Sequence, residues 1–443
     1  MTNGRARTHG YDEFPLMLTV LDLRGSIGDL DAAFARSDVV DDEVTRAVRD
    51  VIADVRARGD AALRELTRRF DGCDIDDPRV AGEAVAAALE RTPSEVRAAL
   101  EYAAGEITAY HEAQRAPEVA FERDGVRVRE RVVPVDRAGC YVPGGRAAYP
   151  SSVLMTAIPA RVAGVPEVVL CMPPGSTGDP PDAALAAAAL AGVDEVYRIG
   201  GAQAIAAMAY GTESVRPVDV VVGPGSAHVT AAKREVAGVV GIESLAGPSE
   251  VVVVADESAD PELVAIDLVA QAEHGPGGTA VVVCWSSSVA EAVIEAVARR
   301  TAAAPRRAEI ESTLRGGGRA VLVDGPTQAL EVVNAIAPEH VELLTQDAEV
   351  LAGEVRNAGA VFCGPWAPAA VGDYVAGVNH VLPTARTARF ASALRVDDFC
   401  KHIHVVSVDE AGLRRIAPYI EALATVEGLD EHARSVALRV ERA

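Results

Sequence analysis

Residues 250–285 read EVVVVADESADPELVAIDLVAQAEHGPGGTAVVVCW, and this stretch contains the pattern that decides the fold. Two short apolar runs, EVVVVAD and TAVVVCW, lie on either side of a segment whose apolar spacing predicts a helix from Asp260 to His274. Strands that are apolar throughout and alternate with helices are typical of a parallel sheet covered on both faces. The stretch therefore predicts one strand–helix–strand unit of an α/β protein.

The same alternation continues on both sides of this unit. Before it, strands are predicted at 167–172, 194–199 and 219–223, and helices at 181–193, 202–210 and 226–236. After it, strands are predicted in RAVLVDG, VELLT and GAVFCG, and helices at 288–303, 326–337 and 347–358. The sequence therefore predicts an α/β fold with two Rossmann-like parallel-sheet domains, which meet near Gly247-Pro248.

The remaining segments complete the predicted organisation. Residues 41–115 have helical spacing, and the alternating residues 118–135 surround Asp124-Gly125, a strong hairpin signal. The pattern of residues 393–443 predicts a small α+β module. We expect an N-terminal extension and arm (1–40), a discontinuous first α/β domain (41–138 with 251–392), a second α/β domain (139–250) and a C-terminal module (393–443).

Composition excludes several classes of protein. There are 42 basic and 65 acidic residues, a net charge of −23, which argues against a nucleic-acid-binding protein. No apolar run is long enough to predict a membrane span, and residues 1–16 lack the apolar core of a secretory signal. The six cysteines form no CxxC pair, so we expect buried thiols in a reducing cytoplasm.

The sequence QAEHGP contains the first candidate site. Gln271 and His274 are three residues apart, so they share one face at the end of the predicted helix, which Gly275-Pro276 terminates. Buried polar groups at the end of an apolar stripe require partners. The alternative is a histidine that satisfies terminal carbonyls next to an exposed glutamine.

Glu339 and His340 form the second candidate, directly before the strand VELLT. An imidazole titrates near neutral pH and a carboxylate can activate water, so the pair could divide proton transfer between them. We expect it at the sheet edge where ligands of α/β proteins bind. The alternative is a charged pair at a strand start.

Asp373 and His380 lie in a segment of 27 residues rich in glycine and proline, from Gly364 to Phe390. Long irregular segments of compact proteins are usually functional or disordered. Asp373 could bind a metal and His380 a substrate carboxylate, whereas the alternative is an ordinary turn.

Glu427 and His432 lie in the C-terminal module. Asp430 can cap the last helix, which places His432 in its first turn, and Glu427 converges with His432 if the chain turns at Gly428. The alternative is a loop beside a surface histidine. Without thiolates, the pooled Gln, His, Asp and His side chains suit a catalytic metal site better than a structural zinc site.

Nucleotide binding receives weak support from the sequence. The fingerprint GxGxxG is absent, and Gly223-Pro-Gly225-Ser-Ala-His228 comes nearest to it. Glycine turns at Gly200-Gly201 and Gly223-Gly225 could still present helix N-termini to phosphate.

Taken together, these motifs resemble the histidinol dehydrogenase family over nearly the whole chain after Met17. The resemblance rests on LDLRG (21–25), CYVPGGRAAYPSSVLM (140–155), GGAQAIAAMAYGTE (200–213), SLAGPSE (244–250), QAEHGP (271–276), APEHVELL (337–344), GDYVAGVNHVLPT (372–384), RFASALRVDDFCK (389–401) and EGLDEHA (427–433), together with GPG and VTAAKR between 223 and 234. It implies a zinc enzyme that oxidises L-histidinol through L-histidinal to L-histidine and reduces two NAD⁺.

The resemblance also implies residue roles. It implies one zinc per subunit held by Gln271, His274, Asp373 and His432, and proton transfer by Glu339 and His340. Substrate contacts match Ser249, His340, His380 and Glu427 in addition to the four metal ligands. NAD⁺ contacts match Tyr141, Gln203 and Ser226, where the family usually has Asn in place of Ser226. Family members are homodimers in which the C-terminal module completes the partner's active site, so 139–250 becomes the NAD-binding domain and 393–443 the dimerisation module.

Three other functions are compatible with the residues. A related alcohol dehydrogenase acting on a sulfonated diol would use a similar site, and a substrate panel separates the two. A zinc hydrolase could use the same ligands with Glu339 as its base, but it would produce no NADH. A metal or nucleotide sensor would not need Glu339 and His340.

Overall fold

The computed structural model describes residues 17–25, 30, 34, 41–144, 148–175, 178–275 and 277–442. The strands are β1 (Thr19–Asp22), β2 (Arg79–Val80), β3 (Val119–Arg123), β4 (Val126–Pro134), β5 (Arg137–Tyr141), β6 (Glu167–Cys171), β7 (Glu195–Tyr197), β8 (Val220–Val222), β9 (Gly241–Ile242), β10 (Glu250–Ala255), β11 (Thr279–Cys284), β12 (Gly318–Leu322), β13 (His340–Leu344), β14 (Ala360–Cys363) and β15 (Cys400–Val408).

The helices pack around these strands. They are α1 (Asp42–Arg58), α2 (Asp60–Asp71), α3 (Gly82–Arg91), α4 (Ser94–Ala113), α5 (Pro150–Ala163), α6 (Asp182–Leu190), α7 (Gly201–Tyr210), α8 (Ala227–Val236), α9 (Pro261–Ala272), α10 (Ser287–Ala303), α11 (Arg307–Gly317), α12 (Pro326–Ile336), α13 (Ala348–Ala352), α14 (Ala369–Tyr374), α15 (Glu410–Val426) and α16 (Asp430–Arg442). Two short 3₁₀ helices lie at Thr387–Arg389 and Val396–Phe399.

The first sheet is parallel throughout, in the order β1-β12-β11-β10-β13-β14. Its central strands are buried valine-rich runs with helices packed on both faces, as the sequence predicted. Helix α9 begins where Asp260 accepts the backbone N–H of Glu262 at 2.9 Å, which is the N-cap expected from the sequence. The predicted strand–helix–strand unit is therefore confirmed.

The second sheet has the order β2-β7-β6-β5-β8-β9, and only β2 is antiparallel to its neighbour. Helices α1 to α4 pack on this sheet: Val48 and Leu63 lie in one of its cores and Leu100 and Ile107 in the other. For these helices the packing corrects the expected grouping of residues 41–138 with the first domain. Helical spacing shows that an apolar face exists, but not which sheet covers it.

The C-terminal module joins the predicted hairpin. Strand β15 pairs with β4, and β4 with β3, in an antiparallel sheet of three strands. Asp124 and Gly125 form the hairpin turn with φ of 53° and 78°, the left-handed values that a tight two-residue turn requires. Helices α15 and α16 then pack against each other. Two parallel-sheet units and a small α+β module confirm the predicted fold class.

Several local predictions differ from the structure. Helix α11 was not predicted, and α13 ends at Ala352, earlier than the predicted 358. Strand β1 lies within the expected N-terminal extension, yet it forms an edge of the first sheet. The rest of that extension lies almost entirely outside the described residues. All six cysteines are free thiols. Among the described helices, none is both long and apolar enough to cross a membrane.

Candidate active site

A short connection leads from the second sheet to the first. Strand β9 ends at Ile242 and β10 begins at Glu250, so residues 243–249 run from the carboxyl edge of the second sheet to the amino edge of the first. Ser249 ends this connection, and Glu339 and His340 lie at the amino end of β13, the neighbour of β10. We expected the Glu339–His340 pair at the ligand-binding rim of α/β sheets, which is the carboxyl edge. That prediction is wrong for the first sheet, because Glu339 and His340 lie at its amino edge.

Glu339 and His340 are held in fixed orientations. Glu339 is 8% exposed, and its Oε2 accepts the Ser249 hydroxyl at 2.5 Å and the Glu250 N–H at 2.9 Å. His340 is 5% exposed, and its Nδ1 lies 3.1 Å from the carbonyl oxygen of Glu250. A carbonyl can only accept, so Nδ1 carries the proton and Nε2 has the free lone pair when the ring is neutral. Nε2 is buried without a hydrogen bond and lies 3.7 Å from Asp373 Oδ1.

Carboxylates around His340 control its charge. Burial lowers the pKa of this imidazole, but the negative charge of Glu339 and the nearby Asp373 carboxylate outweigh burial and raise it to about 9. Burial also raises the pKa of Glu250 to about 7, and repulsion from Glu339 adds to that effect. Burial works against the charged form of Asp373, yet His340 holds the pKa of this carboxyl below its usual value. Strongly shifted titratable groups concentrated in one place are typical of a functional site.

Three of the four predicted metal ligands lie on elements that converge here. Gln271 lies in the last turn of helix α9, and His274 follows the helix. Asp373 lies on α14, near enough to His274 for the two side chains to interact electrostatically. His274 Nδ1 lies 3.2 Å from the Gln271 carbonyl oxygen. In the described part of the chain, no three His, Cys, Asp or Glu side chains are placed to hold a metal ion together.

The surroundings of the Gln271 amide show whether a cation can bind beside this side chain. Gln271 is 6% exposed, its Oε1 lies 3.2 Å from the Ser249 hydroxyl oxygen, and its Nε2 is buried without a partner. Rotating the amide by half a turn lets Nε2 donate to Ser249 and leaves Oε1 free, which is the atom that a cation would bind. An amide oxygen, an imidazole and a carboxylate match zinc as three ligands of an incomplete set.

His380 is positioned by two groups. Its Nδ1 donates to the backbone carbonyl of Asp373 at 2.9 Å, and its Nε2 lies 3.1 Å from the hydroxyl of Ser152. Burial lowers the pKa of His380, which favours the neutral ring. The ring therefore connects the end of helix α14, which carries Asp373, to helix α5 of the second domain. The sequence offered no signal for Ser152, because an isolated serine in an apolar helix has many ordinary roles.

Glu427 and His432 are not brought to this site within one chain. Glu427 ends helix α15, the chain turns at Gly428 with φ of 72°, and His432 lies in the first turn of α16, as the sequence predicted. Both side chains are exposed, and no residue of α16 is buried. Among the described contacts, neither side chain has a hydrogen bond or ion pair with Gln271, His274 or Asp373.

The three predicted NAD⁺ contacts lie at the carboxyl edge of the second sheet. Tyr141 ends β5, Gln203 lies in the first turn of α7, and Ser226 is the N-cap of α8. The Tyr141 hydroxyl accepts the Gly201 N–H at 3.0 Å, and Tyr141 and Gln203 are 3% and 2% exposed, whereas Ser226 is exposed. Strand ends followed by helix N-termini are where α/β proteins bind dinucleotides.

Sequence reasoning missed the residues that support the site. Glu250, Asp267 and Glu342 are carboxyl groups on the strands and the helix that carry the candidate residues, and each has a raised pKa that burial causes first. Lys233 is 1% exposed although lysine is normally a surface residue. The sequence indicates these four residues only as single charged residues within apolar segments.

Two sheets of mainly parallel strands, with a buried Glu–His pair at the amino edge of one and glycine turns at the carboxyl edge of the other, define a two-domain α/β enzyme. A family model described as histidinol dehydrogenase matches residues 34–440. The chain belongs to the histidinol dehydrogenase family, whose members are oxidoreductases that act on alcohol groups.

Relatives in several bacteria support this assignment. The chain is 49% identical over 403 residues to the histidinol dehydrogenase of Gluconobacter oxydans, covering 90% of this chain and 93% of that protein. It is 46% identical over 402 residues to that of Geobacillus kaustophilus, covering 90% and 95%. The crystal structure of histidinol dehydrogenase from Elizabethkingia anophelis superposes with a TM-score of 0.93 at 32% identity, covering 97% of this chain and 99% of that one.

Proposed function

We propose that this protein is a zinc-dependent, cytoplasmic L-histidinol dehydrogenase. It oxidises L-histidinol through L-histidinal to L-histidine, reduces two NAD⁺ and thereby completes histidine biosynthesis. The observation that carries the proposal is the buried Glu339–His340 pair, whose free Nε2 faces the carboxylate of Asp373. Membership of the histidinol dehydrogenase family supplies the substrate.

His340 acts as the base of the first oxidation. The Glu250 carbonyl fixes the Nδ1–H tautomer, so Nε2 accepts the hydroxyl proton of the substrate as hydride leaves the carbinol carbon. When bound, NAD⁺ would supply the hydride acceptor for both oxidations. The fixed ring orientation keeps the base in place while the alcohol becomes an aldehyde.

Glu339 acts in the second oxidation. Its Oε2 is already occupied by Ser249 and the Glu250 N–H, which leaves Oε1 to take a proton from the water that adds to the aldehyde. His340 returns its proton to the carbonyl oxygen as the water adds, and it takes a hydroxyl proton from the resulting hydrate as the second hydride leaves, which gives the carboxylic acid. Because the aldehyde stays bound between the steps, it is protected from side reactions.

Gln271, His274 and Asp373 would hold the zinc ion together with His432. When bound, the ion would fix the substrate amine and imidazole, and its charge would oppose that of Asp373 near His340, which favours the neutral ring that a base requires. Ser249, His380 and Glu427 would contact the substrate in addition to the metal ligands. Tyr141, Gln203 and Ser226 would contact NAD⁺ at the carboxyl edge of the second sheet.

The active site would be shared between the two subunits of a homodimer. Glu427 and His432 are exposed in their own chain, and large apolar side chains beside them are exposed as well: Val426 is 87% and Leu423 67% exposed. Exposed apolar side chains grouped on one module are typical of an interface. A partner subunit that receives this module would obtain its fourth ligand.

One assay tests the proposal. Purified protein should reduce NAD⁺ with L-histidinol, lose this activity on chelation and recover it with Zn²⁺, with two NADH formed per L-histidine. A site with nitrogen and oxygen ligands can also bind Mn²⁺ or Co²⁺. Full activity in protein shown to be metal-free by elemental analysis would refute zinc dependence. Faster turnover of a sulfonated diol than of L-histidinol would refute the substrate.

A further inference from the structure

A buried ion pair lies beside the glycine turn of the second sheet. Lys233 is in helix α8, and its Nζ lies 2.7 Å from the carboxylate oxygens of Glu243, which begins the connection to the first sheet. The two side chains are only 2% and 3% exposed. This pair lies apart from Glu339, His340 and the proposed metal ligands, and the mechanism assigns it no role.

The ion pair holds both polar backbone groups of Gly223. Glu243 Oε1 accepts the Gly223 N–H at 2.7 Å, and Lys233 Nζ lies 3.2 Å from the Gly223 carbonyl oxygen, to which it donates. Gly223 has φ of 120°, and a Cβ at this position would lie 2.0 Å from the Tyr141 carbonyl oxygen. The turn must therefore contain glycine at position 223. Because glycine has wide conformational freedom, the turn would be mobile without the two hydrogen bonds that hold it.

The fixed turn leads directly to the proposed dinucleotide site. Gly223 contacts Tyr141 on one side and is followed by Pro224, Gly225 and the N-cap Ser226 on the other. A Cβ at Gly225 would lie 2.4 Å from Val229, so this glycine too permits a close approach of the turn to its helix. The orientation of the α8 N-terminus thus depends on how Gly223 is held.

Stability alone does not account for this arrangement. Removing two charges from water costs about as much as their attraction returns, and an apolar pair of similar size would stabilise the fold equally well. What an apolar pair lacks is a donor and an acceptor for the two backbone groups of Gly223. The ion pair thus supplies position rather than net stability.

We infer that Lys233 and Glu243 are positioning residues for NAD⁺, since they lock the turn at 223–226 in the conformation that presents Ser226 and the α8 N-terminus to the dinucleotide. This inference rests on the proposed function. The pair touches no cofactor atom itself and acts through Gly223. Its loss is expected to weaken dinucleotide binding while histidinol and metal binding remain unchanged.

The test is direct NADH binding by calorimetry to purified wild-type protein and to E243Q, K233M and K233M/E243Q. E243Q leaves the buried Lys233 ammonium uncompensated and so frees it from the Gly223 carbonyl, which should lower thermal stability and raise the Kd for NADH about tenfold. K233M/E243Q removes both charges and should therefore fold more stably than E243Q. Because the residues act as one unit, the double variant should lose no more affinity than the more impaired single variant. L-Histidinol affinity and zinc content should match the wild type.

E195Q is the matched control. Glu195 pairs with the buried Arg137 at the amino edge of the same sheet, far along the strands from the glycine turn. E195Q should lower the unfolding temperature and leave the Kd for NADH unchanged.

The outcomes separate the inference from the proposed function. A wild-type protein that fails to bind NADH refutes the proposed cofactor, and this inference with it. If the wild type binds NADH and E243Q loses thermal stability without losing affinity, the pair is merely structural and the inference alone is refuted. If K233M fails to fold, E243Q and the double variant still decide.

Discussion

The carboxyl groups of Asp267, on helix α9, and Glu342, on strand β13, are buried neighbours, and each shifts the pKa of the other. Glu342 is 1% exposed and also accepts the backbone N–H of Ala369 at 2.7 Å, at the start of helix α14. The pair therefore connects the helix that bears Gln271, the strand that bears His340 and the helix that bears Asp373. Two adjacent carboxyl groups in a buried place cannot both ionise easily, so they retain a proton between them.

This shared proton predicts how stability depends on pH. Burial, and then repulsion from Asp267, raise the pKa of Glu342 to about 8. Since the folded state binds a proton that the unfolded chain releases near its ordinary pKa, stability should fall as pH rises toward 8. Asp267→Asn removes the like charge and can donate to Glu342. The variant should therefore lose less stability than the wild type as pH rises. The difference between their free energies of unfolding should shift in favour of the variant by about 1–2 kcal/mol from pH 5 to pH 9.

Urea unfolding at the two pH values measures this difference. Asp256→Asn is a suitable control. The Asp256 carboxylate accepts the backbone N–H groups of Ser258 and Gln346. Partial burial tends to raise the pKa of Asp256, but these hydrogen bonds keep it below its usual value. Its stability contribution is lost only in acid, so the Asp256→Asn deficit should be equal at pH 5 and pH 9. A wild-type protein whose stability stays constant over this range would contradict the shared proton.

Proton transfer gives the second prediction. His340→Asn removes the base and should slow the oxidation of histidinol by about 10²–10⁴-fold, the usual contribution of a general base. Glu339→Gln should impair histidinal oxidation more than histidinol oxidation, with zinc content unchanged. Stopped-flow measurements with each substrate separate the two steps. Wild-type rates on both substrates in both variants would show that the proton-transfer assignment is wrong.

The exposed Ser226 gives the third prediction. It is the N-cap of α8 but accepts no capping hydrogen bond, so its hydroxyl is available to a ligand. Ser226→Asn introduces an amide of longer reach, as the family usually has, and should tighten NAD⁺ binding or leave it unchanged. Histidinol affinity should not move. A shift in histidinol affinity at constant NAD⁺ affinity would place Ser226 outside the cofactor site.

Sequence pattern predicted the fold well where periodicity was strong. The valine-rich strands β10 and β11 and the Asp260-capped helix α9 agree closely with expectation, because their signals are local. The sheet that covers Leu100 and Ile107 was not predictable, since an amphipathic helix does not specify its partner. Likewise, the contacts of Ser249 with Glu339, and of Ser152 with His380, join residues far apart in the chain. Only the assembled fold shows such pairs.

The last prediction concerns the shared active site. If helix α16 crosses to a neighbouring subunit, each site takes His274 from one chain and His432 from the other. His432→Ala and His274→Ala proteins should each be inactive, and a mixture of the two should regain activity. In a random mixture half of the dimers are heterodimers, and each heterodimer has one intact and one doubly defective site. Recovery should therefore approach about a quarter of wild-type activity, as expected from C₂ symmetry.

The experiment depends on proven subunit exchange. Differently tagged chains, purified in series after mixing, isolate the heterodimer, whose activity should approach half of the wild-type value because one of its two sites is intact. A mixture of His274→Ala with Gln271→Ala is the control: both changes lie in the same half of the site, so each site of that heterodimer carries one defect and activity should stay absent. Purified His432→Ala/His274→Ala heterodimers without activity would mean that the exposed His432 does not complete the partner's site.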